Sequence, residues 1–417
     1  MIELTLNEFL RISEGELISG YKDVLFKGVS TDTRDLTPGE AFFALKGENF
    51  DGHDFVQEAF NNGAAVAVVE QSIGHISEDY PIIKVGSTLQ ALQKLAEWWR
   101  RRFDIPVIGI TGSSGKTTTK DILSSILEVK MNVHKTWGNF NNEIGVPLTL
   151  LGLDNHHDVC VVEMAMRGLG EIWELCGIAY PTMGIITNIG SAHYERLGSM
   201  ENIAKAKGEL ARSIPQGGLV MLNGDDRWSS YIAVITAGRV MSYGFGEGAQ
   251  LRARKIKSTS TGTIFTFDYQ NGSHAMRLPL LGRHNVYNCL ASMGIALDLG
   301  LTIHEIQEGL DGVKLTGMRL ERTAGIRGAT IINDTYNANP SSMLASLEVL
   351  KEFRNMRTIA VLGDMLELGN IAPQKHREIG EAVVRLGINL LVTVGKLGEY
   401  IAEAAIAEGM SPDNMFI

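Results

Sequence analysis

The sequence predicts a multidomain α/β protein centred on a doubly wound, mostly parallel sheet. Three observations carry this. A strand, a glycine loop and a helix follow one another over residues 105–127. Short apolar runs on either side alternate with segments of helical period. The length, 417 residues, leaves room for about three domains that each bury a core.

Composition excludes several classes. The chain is 44% hydrophobic and 21% charged, as globular proteins are, and its net charge of −10 argues against a nucleic-acid partner, which would call for a basic stripe. Met1 to Leu10 has neither the basic start nor the apolar run of a signal peptide. No stretch approaches the roughly 20 apolar residues of a membrane helix, so no membrane insertion is expected. Cys160, Cys176 and Cys289 are an odd number without a C-x-x-C spacing, and their apolar surroundings make them core residues. A cytoplasmic protein, monomeric, is the expectation.

Residues 1–84 form a first unit. Strands are predicted over 28–33, 40–45 and 64–69, with a helix over 53–62 and Gly63 as its C-cap. Two polar clusters fall where strands give way to loops: Ser30-Thr-Asp-Thr-Arg34, and Lys46 to His53. Hydroxyls, Arg34 and Lys46 suit a pyrophosphate, although Ser, Thr and Asp also simply form turns.

Residues 85–313 form the central unit. An amphipathic helix opens at Gly86-Ser-Thr88 and buries Leu89, Leu92, Leu95, Ala96 and Trp99. Its basic end, Arg100 to Arg102, reads as a solvated terminus that suits the helix dipole. The strand over 105–110 then leads into Thr111-Gly-Ser-Ser-Gly-Lys-Thr-Thr118 and a helix, the context that identifies a phosphate-binding loop. Successive backbone N–H groups are expected to point at phosphate oxygens, reinforced by the helix N-terminus. Lys116 supplies a charge to the β- and γ-phosphates and Thr117 a hydroxyl to Mg²⁺. The general loop pattern wants Gly at position 110, where this chain has Ile110; its additional glycine is Gly112. Further strands are predicted over 158–162, 183–189 and 218–222. A small antiparallel appendage follows, with strands 263–267 and 274–278 about a turn at 270–273, and then a helix over 285–299.

Residues 314–417 repeat the α/β alternation, with strands 329–333, 358–362 and 389–394 and helices 342–353, 375–386 and 397–408: a smaller Rossmann-like domain. Met415-Phe-Ile417 reads as the opening of another strand, so this last sheet is expected to be incomplete.

Within the central unit Glu163 ends a buried strand, where a carboxylate can reach a nucleotide's metal. His193 follows the strand ending at Gly190, and Lys205 and Lys207 lie in a helical segment; read alone, these are an ordinary polar histidine and a solvated helix face. Taken with the loop, the array Thr111 to Thr118, Glu163, Asn188 to His193, Ala204-Lys-Ala-Lys207 and Gly282 to Asn288 resembles the Mur ligase family, ATP-dependent amide-forming enzymes of cell-wall precursor synthesis. Ile110 and Gly112 fit that family's loop better than the general one. The resemblance spans nearly the whole chain. Ser30 to Arg34 with Phe42 to His53, Asn333 to Pro340 and Leu362 to Gly369 resemble the member that joins D-alanyl-D-alanine to UDP-N-acetylmuramoyl-tripeptide.

The resemblance implies a role for each matching residue. Gly112, Ser113, Ser114, Gly115, Lys116, Thr117 and Thr118 hold ATP phosphates; His284, Asn285 and Asn288 lie on the adenine side; Arg319, Asp334 and Asn337 reach the nucleotide from the last domain. Two Mg²⁺ ions are implied, one on Thr117 and Glu163, the other on His193 and a carbamylated Lys207. Ser30, Thr31, Arg34 and Lys46 would hold the uridine diphosphate, and Asn141 and Asn142 the muramoyl peptide. The catalytic set is Lys116, Glu163, His193 and Lys207. It also implies further strands and a basic turn beyond the last residue. Rival readings are the sister ligase that adds the third, diamino residue, a folylpolyglutamate-synthetase-like enzyme, and a non-catalytic P-loop switch. The first-domain motifs speak against both enzyme rivals, and a switch would leave His193 and Lys207 unexplained.

Overall fold

The apolar runs of the first 84 residues become a five-stranded sheet in the order Glu16–Ser19, Ile82–Lys84, Val66–Val69, Ala41–Phe43, Val29–Ser30. All neighbours are parallel except the first pair. The strand predicted over 28–33 ends at Ser30 because the Ser30 hydroxyl donates to the Asp32 carbonyl and accepts from the Asp32 N–H, a local turn that competes with the ladder. The computed structural model describes residues 2–21, 23–74, 77–259, 261–270, 272–353 and 355–416. It divides into two compact units: residues 1–108, 132–164 and 173–181, and residues 109–131, 165–172 and 182–417.

In the first unit, Phe42, Val56, Ala59, Phe60, Ala67 and Val69 form the core on one face of the sheet, with Tyr80 stacked on Phe60 at 4.3 Å. The Thr88–Arg100 helix is capped by Ser87 and buries Ala91, Leu92, Leu95 and Ala96, whereas Leu89 and Trp99 are only half-buried. Its basic end corrects the sequence reading. Arg100 is 5% exposed and donates to the carbonyls of Ala179, Phe103 and Ile105, so it closes three backbone acceptors in the interior instead of facing water. Val133–Lys135, which the sequence reading missed, pairs in parallel with Val159–Glu163.

The second unit carries the strands Met183–Ile186, Leu219–Asn223, Arg239–Gly244 and Leu251–Thr259, parallel in succession. Gly262–Tyr269 and Gly272–Leu278 extend this same sheet in antiparallel pairing, with Phe267 opposite His274 as the hairpin predicts; Asn271 of the predicted turn lies outside the described residues. The Arg283–Asp298 helix is buried on most of its surface, and Ser292 at its middle donates to the Thr119 carbonyl of the Lys116–Leu127 helix.

Residues 359–416 form a parallel sheet ordered Ile359–Leu362, Leu390–Thr393, Met415–Phe416, flanked by the helices Pro340–Lys351, Ala372–Arg385 and Gly398–Ala407 around Leu347, Met365, Val383, Leu391 and Ile401. The strand expected over 329–333 departs from this plan. Thr330–Asn333 pairs antiparallel with Glu321–Ala324, outside the parallel sheet, and its Thr330 and Ile331 are exposed. Cys160, Cys176 and Cys289 are all buried; burial pushes the Cys160 thiol up to about 12. Among the described residues no helix is long and apolar enough to cross a membrane.

Candidate active site

The phosphate loop of the second unit follows a wholly buried strand, Val107–Thr111, that includes Ile110. Two of its glycines are required by what surrounds them. Gly112 has φ +151°, and a Cβ there would lie 1.8 Å from the Thr187 Oγ1. Gly115 has φ +81°, and a Cβ there would lie 2.6 Å from the Asn288 Oδ1. The loop is fastened to the segment after the strand Met183–Ile186. The Ser113 N–H donates to the Asn188 carbonyl (3.0 Å) and the Ser114 N–H to the Asn188 Oδ1 (3.1 Å). Asn188 Nδ2 donates back to the Ser114 carbonyl and hydroxyl, and Ser113 Oγ accepts from the Gly190 N–H. Two amides expected to face phosphate are therefore engaged within the protein, because the loop needs an internal brace. Lys116 Nζ folds back onto the Gly112 carbonyl at 3.0 Å.

Arg319 reaches this loop from the start of the last segment, 314–417. It donates to the Thr117 hydroxyl at 2.9 Å, and its guanidinium lies 4.2 Å from the Tyr336 ring centroid. Flanking Met318 and Leu320 both have positive φ, 60° and 50°. Asp334 accepts from the Leu320 N–H (3.2 Å) and the Ser346 hydroxyl (2.5 Å), and burial raises its carboxyl above the ordinary value despite those bonds.

A cleft of about 260 Å³ gathers Ser114, Gly115, Thr118, His284, Asn285, Asn288, Arg319 and Asp334. Asn337 is exposed and stands outside its lining. Burial pulls His284 down to about 4, so it is a neutral imidazole at physiological pH. Asn285 Nδ2 donates to the Leu281 carbonyl, and its Oδ1 accepts from Asn288 Nδ2 at 3.1 Å. The sequence reading passed over Tyr287, Asn223, Ser341 and Ser342, which also line the cleft. Tyr287 lay inside an identified motif and could have been found; its hydroxyl donates to the Asp225 Oδ2 at 2.8 Å. Ser341 and Ser342 had only the helix-start pattern after Asn339 as a signal.

The two lysines of Ala204 to Lys207 part company. Lys205 is solvated and paired with Glu201 at 2.7 Å. Lys207 is 1% exposed and has no ion pair among the described residues. Burial, together with the like charge of Lys116, holds its pKa well below the ordinary lysine value. His193 is half-buried in a left-handed turn with φ 64°, and its Nδ1 lies 2.5 Å from the Glu367 Oε2. Burial and the cations Lys207 and Lys116 lower its pKa, against a smaller opposing pull from Glu367.

In the first unit Glu163 is 1% exposed. Its Oε1 accepts from Asn141 Nδ2 at 2.8 Å, its N–H donates to the Thr136 hydroxyl, and its buried Oε2 has no hydrogen-bond partner among the described residues. Asn142 Oδ1 is engaged by the N–H groups of Ile144 and Gly145. Ser30 is buried and Thr31 half-buried, while Arg34 is exposed and doubly bonded to Asp32, whose carboxyl it draws down to about 2. Lys46 lies 3.9 Å from Asp51. Among the described residues no group of three or more His, Cys, Asp or Glu side chains is assembled for a metal.

Three family models match in succession: the Mur ligase family, catalytic domain, over residues 25–100; the Mur ligase middle domain over 110–296; and the Mur ligase, glutamate ligase domain over 318–415. The chain is 38% identical over 408 residues to the UDP-N-acetylmuramoyl-tripeptide–D-alanyl-D-alanine ligase of Bacillus subtilis, covering 97% of this chain and 88% of that one. Its fold matches a crystal structure of MurF from Acinetobacter baumannii with TM-score 0.91 and 33% identity, over 100% of this chain and 89% of that one. MurF ligase from Thermotoga maritima, solved in complex with ADP, matches with TM-score 0.82 and 30% identity over 93% and 87% of the two chains. This chain belongs to the Mur ligase family, among its UDP-N-acetylmuramoyl-tripeptide–D-alanyl-D-alanine ligases.

Proposed function

We propose that the chain is an ATP-dependent ligase that joins D-alanyl-D-alanine to the terminal carboxylate of UDP-N-acetylmuramoyl-tripeptide, giving the UDP-muramoyl-pentapeptide of peptidoglycan synthesis. The observation that carries this reading is Lys207 behind the phosphate loop: it is fully buried, and burial first and the like charge of Lys116 second hold its pKa well below the ordinary lysine value. A lysine held in this way favours its uncharged form, which suits a site where phosphoryl transfer to a carboxylate gathers anions and the cations that neutralise them. The same reading makes it a monomeric cytoplasmic enzyme of three domains, 1–84, 85–313 and 314–417, which the three separately matched stretches support.

An amine cannot displace oxide from a carboxylate, so the carboxylate oxygen first attacks the γ-phosphorus and ADP leaves. The dipeptide nitrogen then attacks the acyl carbon and loses a proton, and phosphate departs with the carbon–oxygen electron pair. Lys116 and the remaining loop amides hold the transferred phosphoryl group, with Gly112, Ser113, Ser114, Gly115, Thr117 and Thr118 shaping its seat. Neutral His284 with Asn285 and Asn288 serves the base, and Arg319, Asp334 and Asn337 close on the nucleotide. Thr117, Glu163, His193 and Lys207 are the proposed ligands of two magnesium ions. The unpartnered buried Oε2 of Glu163 fits that role, since a lone carboxylate oxygen in the interior is costly without a counter-charge. Magnesium would neutralise the negative charge that two approaching anions accumulate. Lys207 fits as a carbamate: burial lowers its pKa and so favours the neutral amine, the form that can add to carbon dioxide and release a proton to become an anionic ligand. Ser30, Thr31, Arg34 and Lys46 are proposed for the uridine diphosphate, and Asn141 and Asn142 for the muramoyl peptide.

A phosphate-release assay tests this. Release is expected only with ATP, UDP-muramoyl-tripeptide and D-alanyl-D-alanine together; hydrolysis indifferent to both acceptor substrates would overturn it.

A further inference from the structure

After the strand Ala41–Phe43 the first unit sends out a loop whose residues 46–50 are all exposed. Backbone bonds close it on itself. Lys46 and Asp51 form an antiparallel bridge, the Gly47 N–H donates to the Phe50 carbonyl at 2.9 Å, and the Gly52 N–H to the Leu45 carbonyl at 2.8 Å. Among the described residues 46–53 the one buried side chain is His53, which is 6% exposed. The loop therefore has no apolar anchor, and an imidazole ties it to the domain.

The polarity of both imidazole bonds is fixed by their partners. Nε2 lies 2.9 Å from the Glu70 backbone nitrogen, which can only donate, so Nε2 carries no proton. The proton is on Nδ1, 2.5 Å from the Asp51 Oδ1, which accepts it. The same Oδ1 accepts from the His53 N–H at 3.0 Å. Glu70 is held in turn: its Oε1 accepts from the Thr88 N–H at 2.7 Å, and the Thr88 hydroxyl donates to the Ala44 carbonyl at 3.1 Å. Both feet of the loop thus end on one polar network. With Oδ1 engaged by His53, Asp51 turns Oδ2 towards Lys46, 3.9 Å from its Nζ. Lys46 is 70% exposed, and a long solvated side chain keeps its rotamer freedom unless a fixed neighbour restrains it. An apolar residue at 53 would fill the space; the imidazole adds direction, as satisfied polar networks do when they specify one arrangement.

We propose that His53 is the positioning residue of the uridine-diphosphate site: through Asp51 it sets the 46–51 loop and holds the Lys46 ammonium in place for the pyrophosphate, without itself touching substrate. This rests on Lys46 belonging to that site, as proposed above.

The test uses the full chain. His53→Phe keeps a ring in the buried space and removes both bonds; His53→Gln keeps an acceptor for the Glu70 N–H. In His53→Phe, amide hydrogen exchange over 46–51 should quicken while Ala41–Phe43 and Val66–Val69 keep their protection. KM for UDP-muramoyl-tripeptide should rise about 10–100-fold, the worth of one hydrogen bond to a charged group, with kcat and KM for ATP within about twofold of wild type. His53→Gln should return part of that rise. On a Lys46→Ala background His53→Phe should add less than about twofold, since a residue acting through Lys46 then has nothing left to position. Asp51→Ala leaves the buried imidazole in place and should raise the same KM, which keeps the test open if His53→Phe does not fold. Unchanged exchange with unchanged KM in the folded variant would overturn the proposal. So would a full rise on top of Lys46→Ala, the mark of a merely structural role. Hydrogen exchange needs no substrate, so a Lys46→Ala chain with unaltered KM counts against the uridine-diphosphate reading and not against the hold of His53 on the loop.

Discussion

Replacing Lys207 by methionine is expected to make the fold more stable and the enzyme inactive. The side chain is 1% exposed, has no acid within ion-pair distance among the described residues, and is opposed by the charge of Lys116. Methionine keeps an unbranched flexible stem and removes the charge, so the substitution trades a desolvated ammonium for an apolar group. Relief of such a group stabilises by about 1–2 kcal/mol, or about 2–8 °C for a cooperative unit of roughly two hundred residues. The sign with pH follows from linkage. Lys207 is held below the ordinary 10.5, so from its folded-state value up to 10.5 the unfolded chain binds more protons and wild-type stability rises with pH. The advantage of the methionine variant is therefore largest at low pH and vanishes as the pH nears 10.5. The assay is a thermal melt in bicarbonate-free buffer at several pH values, repeated with bicarbonate. Bicarbonate should stabilise the wild type and leave Lys207→Met unmoved, while ligase turnover in the variant falls by at least about 100-fold. A methionine variant that melts below the wild type without bicarbonate, or equal stabilisation of both proteins by bicarbonate, would refute the reasoning.

Gly112→Ala puts a methyl 1.8 Å from the Thr187 Oγ1; it should cost about 1–3 kcal/mol and weaken nucleotide binding, and Thr187→Ala in the same chain should return part of both, read by melting and fluorescent-nucleotide titration. Arg319→Lys loses the planar fork that reaches Thr117 and lies over Tyr336; kcat/KM for ATP should fall about 10–100-fold with the melting midpoint unmoved. Arg100→Lys cannot serve the carbonyls of Ala179, Phe103 and Ile105 together and should lower stability by about 2 kcal/mol in urea unfolding, with ligase kinetics preserved in the folded fraction.

Arg100 also marks where sequence reasoning fails. A run of arginines at a helix end suits the dipole and water equally, and nothing local tells that three distant or irregular carbonyls need a donor. Thr330–Asn333 fails for a related reason: a short apolar run gives a strand but not its partner, and the pairing with Glu321–Ala324 depends on a polar segment with no strand signal. What was legible had a strong local pattern: the phosphate loop, the hairpin about Phe267 and His274, and the alternation of the last domain. The lysines at 205 and 207 lie in between. Their spacing alone makes both solvated; the family resemblance selected Lys207, and the helix buries that one while Lys205 meets Glu201. The approach of Glu367 to His193 was not legible either, because it joins positions more than a hundred residues apart.

The brace between Ser113, Ser114 and Asn188 has a consequence for protein engineering. The phosphate loop of this chain is not a portable cassette. Its shape is held by a segment found only later in the sequence, and that segment runs within five residues into His193. Grafting residues 111–118 alone onto another nucleotide-binding scaffold would leave the Ser113 and Ser114 amides without acceptors and the notch at Gly112 without Thr187 to fill it. Transplanting both pieces would carry the histidine along with them. Directed evolution of the loop therefore has to explore positions 113, 114, 187 and 188 as one coupled library, since single changes at any of them break a bond whose other half stays behind.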